Sequence, residues 1–284
     1  MGDVRSSDAN DELIGSFFHA QAADPEVALF GLPYDGAVLG RRGARLGPDA
    51  IRTELRRMKL PEGAPRSWHD HGDAEMPDDP RAAGDVATAA MTEVLRHPAF
   101  PIALGGDHSL TFGLVRAVAA ARGPVAILNI DAHLDVREAP LPNSGTSFRR
   151  LVDEKIAPAE WITEVGIRPL ANSPRYLHWA RSNGVHVHEA LVLPELPEGA
   201  RGLYVSLDLD VIDESAAPGV SAPTPGGVTT RELYAYLDDL ARRLPLVAMD
   251  VVETSPPLDV DAKTARAAAW AIATVVAARR RSHS

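Results

Sequence analysis

Short runs of apolar residues recur along the chain, separated by longer stretches whose apolar positions follow a helical period. Glu26–Gly31, Pro101–Leu104, Val125–Leu128, Ile162–Ile167, Val185–Val187, Leu203–Leu207 and Leu246–Val251 read as strands. Most are apolar at consecutive positions rather than alternate ones, which predicts strands buried on both faces, as in a parallel sheet. Helices are predicted from Pro48, with Ile51, Leu55 and Met58 as a stripe, near 82–97, from His108 with Leu110, Leu114 and Val118, and over 173–182, 229–243 and 261–280. Strand and helix alternate nearly throughout, so the expected architecture is α/β, a mostly parallel sheet covered by helices on both sides. No linker or repeat divides the chain. Residues 1–24 read as an N-terminal extension and 25–284 as one domain, with 61–80, rich in prolines and acids, as a long surface connection.

Composition narrows the function classes. The 284 residues are 45% hydrophobic, enough for a core, and the formal net charge of −10 argues against nucleic acid or an anionic membrane as partner. The chain has no cysteine, so any metal must be held by oxygen and imidazole. Met1–Asp24 has no apolar core of a signal peptide, and no apolar run reaches the ~18–20 residues of a membrane span, so a cytoplasmic protein is expected. Met1–Ser6 fits a loose myristoylation pattern that six residues often match by accident.

Polar residues then gather at the ends of the strands. After Val125–Leu128 comes Asn129-Ile-Asp-Ala-His-Leu-Asp135, with Asp131, His133 and Asp135 at alternate positions. Fully extended, those residues would span roughly 13 Å at about 3.3 Å per residue, too far for one small ion. Either the chain bends there or more than one ion is held. Pro101–Leu104 ends in Gly105-Gly-Asp-His-Ser109, and Leu203–Leu207 ends in Asp208-Leu-Asp210. The carboxyl ends of strands are where open α/β sheets bind ligands. Four carboxylates and two imidazoles are too many for one tetrahedral zinc and fit two divalent ions, with an oxygen-rich set favouring manganese. Two such ions can share a water and lower its pKa.

Other polar clusters carry weaker signals. His69-Asp-His71 would need further ligands to hold a metal, and none can be placed from sequence. His186 and His188 read as strand packing, Arg41–Pro48 as a solvated or subunit-contacting loop that could bind an anion, and Arg279–Arg281 as a solvated tail at a helix C-terminus.

At these residues the chain resembles the ureohydrolase superfamily of arginases, agmatinases and formimidoylglutamases, from about Leu29 to the last helix. The matching motifs are Gly105–Ser109, Asp131–Asp135, Ser206–Asp213, the loop Ala217–Gly227 and Asp250–Glu253. The resemblance implies a single three-layer α/β/α domain with an arginase-like sheet of about eight strands, and a trimer or hexamer. It also implies a manganese pair, one ion on His108, Asp131, Asp135 and Asp208, the other on Asp131, His133, Asp208 and Asp210. Glu253 is then expected to hold the nitrogens of a small amidine or guanidine substrate, whose N–C–N group offers parallel donors to a carboxylate.

One departure within that resemblance is informative. Arginases and agmatinases carry a histidine in the loop after Asp-x-His-x-Asp, and residues 136–148 here contain none. Asp135-Val-Arg137 and Ser144-Gly-Thr-Ser-Phe148 instead resemble the formimidoylglutamase pattern, although Ser147 and Glu214 stand where proline is more usual. Arg137 is expected either to clamp a substrate carboxylate or to pin its loop by a salt bridge. Asn143 and Ser144 are further candidate substrate contacts, and Asp135 is the candidate proton carrier. The expected reaction is hydrolysis of N-formimidoyl-L-glutamate to formamide and L-glutamate, a step of histidine breakdown. The alternatives are hydrolysis of agmatine or another guanidino compound with release of urea, and a metal-stiffened binding protein without turnover.

Overall fold

The structure, a computed structural model, describes residues 11–18 and 25–281. The myristoylation pattern at Met1–Ser6 lies outside these residues. Eight strands form one sheet: β1 (Val27–Gly31), β2 (Trp68–Asp73), β3 (Phe100–Leu104), β4 (Ala126–Ile130), β5 (Ile162–Val165), β6 (His186–His188), β7 (Leu203–Asp208) and β8 (Leu246–Val252). Their order is β2-β1-β3-β8-β7-β4-β5-β6, and every pairing is parallel. The chain runs outward through β4, β5 and β6, then returns to lay β7 and β8 between β4 and β3. Register sets Leu104, Val251, Leu207 and Ile130 level across β3, β8, β7 and β4, so the residues after these strands emerge on one rim.

Alternate side chains of each strand enter two separate cores. Val27 and Leu29 pack with Ile51 and Leu55 of α1 (Gly47–Arg57), Leu233 and Leu237 of α6 (Thr230–Arg243) and Ile272 and Val275 of α7 (Lys263–Arg281). Ala28 and Phe30 face the other way, toward Met91 of α2 (Pro80–Val94), Leu114 of α3 (Thr111–Arg122), Leu151 of α4 (Ser147–Asp153) and Ala180 of α5 (Pro174–Asn183). The expected three-layer α/β/α architecture is the one observed. Capping fixes several helix starts: Asp79 accepts from Arg81 and Ala82, and Thr229 and Glu232 form a reciprocal capping box on α6. No helix among the described residues is long and apolar enough to cross a membrane.

Three expectations are corrected. The 61–80 stretch is not only a connection, because Trp68–Asp73 forms the edge strand β2. Buried Trp68 and the ion pairs of Arg52 with Asp70 (3.0 Å) and Asp73 (2.5 Å) hold this polar segment in place. Arg279 is not in a solvated tail: α7 continues to Arg281, and Arg279 lies over the Phe100 ring at 4.1 Å. The 136–148 loop leads directly into α4, a helix that the sequence pattern did not predict. Before the first strand, Asp11–Phe18 packs on the domain, with Ile14 fully buried in the core and Leu13 bridging to Lys59.

Candidate metal centre

All six expected metal ligands meet at the rim formed by β3, β4, β7 and β8. Each arrives on a segment that leaves its strand and turns sharply. After β3, Gly105 and Gly106 let the chain pass Tyr34 so closely that a side chain at Gly106 would sit 1.7 Å from the Tyr34 carbonyl oxygen. His108 follows, and its ring is buried. Its Nδ1 lies 2.9 Å from Asp135 Oδ2, 3.2 Å from Asp131 Oδ2 and 3.4 Å from Asp208 Oδ2. His133 Nδ1 lies 2.8 Å from Asp210 Oδ2 and 3.5 Å from Asp131 Oδ1. Two ligand groups result, His108-Asp131-Asp135 and Asp131-His133-Asp210, with Asp131 common to both. The bend that brings Asp135 back to His108 is backbone strain: Asp135 has φ +46°, a left-handed conformation that costs about 1–3 kcal/mol for a residue other than glycine.

The hydrogen bonds behind His108 test whether this cluster suits a cation. Asp250 Oδ1 accepts the Ser206 hydroxyl proton at 2.6 Å, so Ser206 Oγ is left to accept from His108 Nε2 at 2.9 Å. In the neutral ring the other nitrogen, Nδ1, then carries the lone pair, facing the three carboxylates without a hydrogen bond of good geometry to any of them. A lone pair against three anionic oxygens is stable only with a positive charge between them. Among the described residues no lysine or arginine pairs with Asp131, Asp135, Asp208 or Asp210. The donor set therefore fits divalent cations, and its oxygen excess suits a hard one.

The titration behaviour has the same origin. Burial pushes the Asp208 carboxyl well up, helped by Asp210 and Asp131, and burial with Asp131 raises Asp210 to about 6. Burial lowers the two histidines, but their carboxylate neighbours overcome it: His133 rises to about 12, and His108 lies well above its ordinary value. Without metal, protons are the cluster's counterions.

Glu253 leaves β8 in a second strained conformation, φ +63°. Its Oε1 accepts the backbone N–H of His108 at 2.8 Å, and its Oε2 accepts the Ser221 hydroxyl at 2.5 Å. Burial, then the Asp107 charge, raises its carboxyl to about 8. Glu253, Asp135, Asp208 and Asp210 line one cavity with Arg137, Ser144 and Ser221. A larger groove beside Trp270, between α1 and α7, lies away from all of these residues.

The loop candidates divide. Arg137 enters the cavity wall, its stem passing so close to Gly145 that a side chain there would meet its Cδ at 2.4 Å, and its guanidinium sits 5.4 Å from the Tyr176 ring. Arg137 has no carboxylate partner among the described residues, so the loop-pinning salt bridge is not observed. Ser144 lines the cavity while its Oγ accepts from the Leu39 N–H at 3.1 Å. Asn143 does not line it, and its side chain closes the local turn by accepting from Gly145 N–H at 3.1 Å. Ser147, at the position where proline is more usual, donates to the His108 carbonyl at 2.7 Å.

Several supporting residues were given no role from the sequence. Ser206 and Asp250 are direct cross-strand neighbours on β7 and β8, and Tyr204 (2.6 Å) and Thr111 (2.9 Å) also donate to Asp250. Behind Asp131, Asn129 donates to Asp131 at 3.2 Å and to buried Glu164 at 2.8 Å. The available signal was a polar residue inside an otherwise apolar strand.

Comparison with known proteins places the fold and the sequence in a family. The Arginase family profile matches residues 25–278. A formimidoylglutamase of Halobacterium salinarum is 38% identical over 297 residues, covering 94% of each chain. The proclavaminate amidinohydrolase of Streptomyces clavuligerus is 37% identical over 257 residues, covering 82% of each. The crystal structure of a Bacillus subtilis formimidoylglutamase superposes with a TM-score of 0.91 at 27% identity, covering 99% of this chain and 96% of that one. With nearly its whole length matched in sequence and in fold, the chain belongs to the arginase family.

Proposed function

We propose that this arginase-family hydrolase cleaves N-formimidoyl-L-glutamate to formamide and L-glutamate, with two manganese ions as cofactor. His108, Asp131, Asp135 and Asp208 would hold one ion, and Asp131, His133, Asp208 and Asp210 the other. Bound there, a pair of divalent cations would supply a water of lowered pKa and stabilise charge that develops on the substrate.

The observation that carries the substrate assignment is Arg137. It is a guanidinium without a carboxylate partner among the described residues, in the same cavity as Glu253 and the carboxylate cluster. A substrate with carboxylates at one end and an amidine at the other would span the two. Arg137 suits the carboxylate by its fork of parallel donors. Glu253 suits the amidine: each of its oxygens already accepts one hydrogen bond, which fixes its orientation, and each keeps a lone pair for an N–H. Ser144 ties the loop to residue 39 and closes the cavity on that side. In the balanced reaction one water is consumed. Its oxygen becomes the formamide carbonyl, the bond to the glutamate nitrogen breaks, and that nitrogen gains a proton. Asp135, whose carboxyl is raised by burial and by Asp131, is the group proposed to hold this proton, since the loop offers no histidine.

A guanidino acid is the second reading, favoured by the near-equal similarity to proclavaminate amidinohydrolase. Arg137 would serve such a substrate equally, and urea would be the product. Manganese-loaded protein assayed for formamide from N-formimidoyl-L-glutamate, and for urea from agmatine and a set of guanidino acids, separates the two. Formamide release is expected; turnover confined to guanidines would refute the assignment.

A further inference from the structure

Away from the rim, β2 carries His69 and His71 on one side of the edge strand, and the turn after α2 brings His97 beside them. Alternate residues of a strand project from the same face, so the first two rings meet, with centroids 4.1 Å apart. The His97 ring lies 6.1 Å from that of His71. With metal–nitrogen distances of about 2.0–2.1 Å, a tetrahedral ion sets imidazole centroids roughly 5 Å apart, so the first two rings can share one ion after a small shift, and the His97 ring joins them only by swinging inward. Two of the nitrogens, His69 Nδ1 and His71 Nε2, are shut off from water and have no hydrogen-bond partner, an expensive arrangement for a polar atom unless something binds it. The nearby acids are committed elsewhere: Asp70 to Arg52 at 3.0 Å and Glu93 to Arg96 at 2.8 Å.

We infer that His69, His71 and His97 form a second cation site, separate from the carboxylate-rich rim, that takes a borderline divalent ion such as zinc. The donor chemistry distinguishes the two places. Three imidazoles without a carboxylate favour zinc or copper over manganese, whereas the oxygen-rich rim favours manganese. Burial, then the neighbouring His69 and His97, lowers the His71 pKa, and Asp70 and Glu93 oppose this only partly, so His71 offers a neutral ring at neutral pH. Exposed His97 is free to rotate onto the ion, with water completing a tetrahedral set.

The test is metal counting on tag-free, manganese-loaded protein equilibrated with micromolar free zinc, in the wild type, His71→Asn and His97→Asn. The expected result is one zinc per wild-type chain with manganese retained, none in H71N, and at least tenfold weaker binding in H97N. Zinc should also raise the melting temperature of the wild type but not of H71N. His97 is exposed on a turn, so H97N keeps the test decisive even where H71N folds poorly. Zinc uptake that only displaces manganese, or zinc bound equally by the wild type and both variants, would overturn the site. Loss in H71N without any change in H97N would overturn its third ligand.

Discussion

Asp131-Ala-His-Leu-Asp135 and His69-Asp-His-Gly-Asp73 are written in nearly the same letters, yet the fold puts them to opposite uses. At the edge strand, Asp70 and Asp73 pair with guanidiniums of α1: Arg52 reaches both carboxylates and the Gly72 carbonyl at 2.9 Å, and Arg56 lies 3.4 Å from Asp70. At the rim, four carboxylates converge on two imidazoles with no guanidinium among them, and the one arginine in the cavity, Arg137, stands apart from all four. In the first arrangement the carboxylates are paired within the chain and hold a polar strand in the sheet. The second is incomplete until a cation enters. What decides between structure and chemistry is the partner each carboxylate meets, not the local composition.

Removing charge from the two places should therefore have opposite consequences. At the rim, Asp208→Asn is expected to lower turnover by ~10³-fold and to reduce bound metal, while the metal-free protein stays as stable as the wild type, because without metal burial already favours the uncharged form of that carboxyl. Activity and metal content measured beside a urea melt check this. At the edge, Arg52→Ala should cost about 3 kcal/mol in the same melt, the loss expected when a buried pair is left without its cation. Bound manganese should not change. The contrast between guanidiniums follows: Arg137→Ala is expected to raise KM for N-formimidoyl-L-glutamate ~10–100-fold with little loss of stability, because this arginine contacts no carboxylate among the described residues.

The smallest effect expected is on pH dependence. In metal-free protein the Glu253 carboxyl is raised from its ordinary 4.5 to about 8, and Asp210 from 3.8 to about 6. Between those values the folded chain holds more protons than the unfolded one, so stability should fall as pH rises from about 4 to 8. His133, raised from 6.5 to about 12, adds in the same direction above pH 6.5. Asp131 is lowered instead, and its contribution falls below this window. Saturating manganese should reverse the slope, since its ligands must give up protons to bind it. Melting curves from pH 5 to 8, with and without the metal, measure both signs.

Much of this was legible before any coordinates. Strands buried on both faces announce themselves as apolar runs, and aspartates and histidines within a few residues of the end of such a run mark rim positions, which is how the six candidate ligands could be named. Features made by partners distant in sequence were not legible. β2 has no apolar alternation and stays in the sheet through Trp68 and Arg52, the latter 18 residues before Asp70. Helix α4 is short, and its anchors, Ser147 on the His108 carbonyl and Phe148 against the His108 ring at 5.5 Å, come from a different strand end. Ser206 and Asp250 form a pair only because β7 lies beside β8 in a register that sets them opposite. Asn143, a candidate substrate contact from its place in the loop, has its side-chain oxygen engaged by the Gly145 N–H of its own turn, a contact the sequence did not signal.

The central claim is that His108, Asp131, His133, Asp135, Asp208 and Asp210 together hold two ions. Its most direct test is the number of manganese ions retained per chain after stripping with chelator and reloading, in the wild type and in Asp131→Asn, which alters the residue common to both ligand groups. Two ions in the wild type and at most one in the variant is the predicted result. A wild type that saturates at a single ion, or a variant that still holds two, would contradict it.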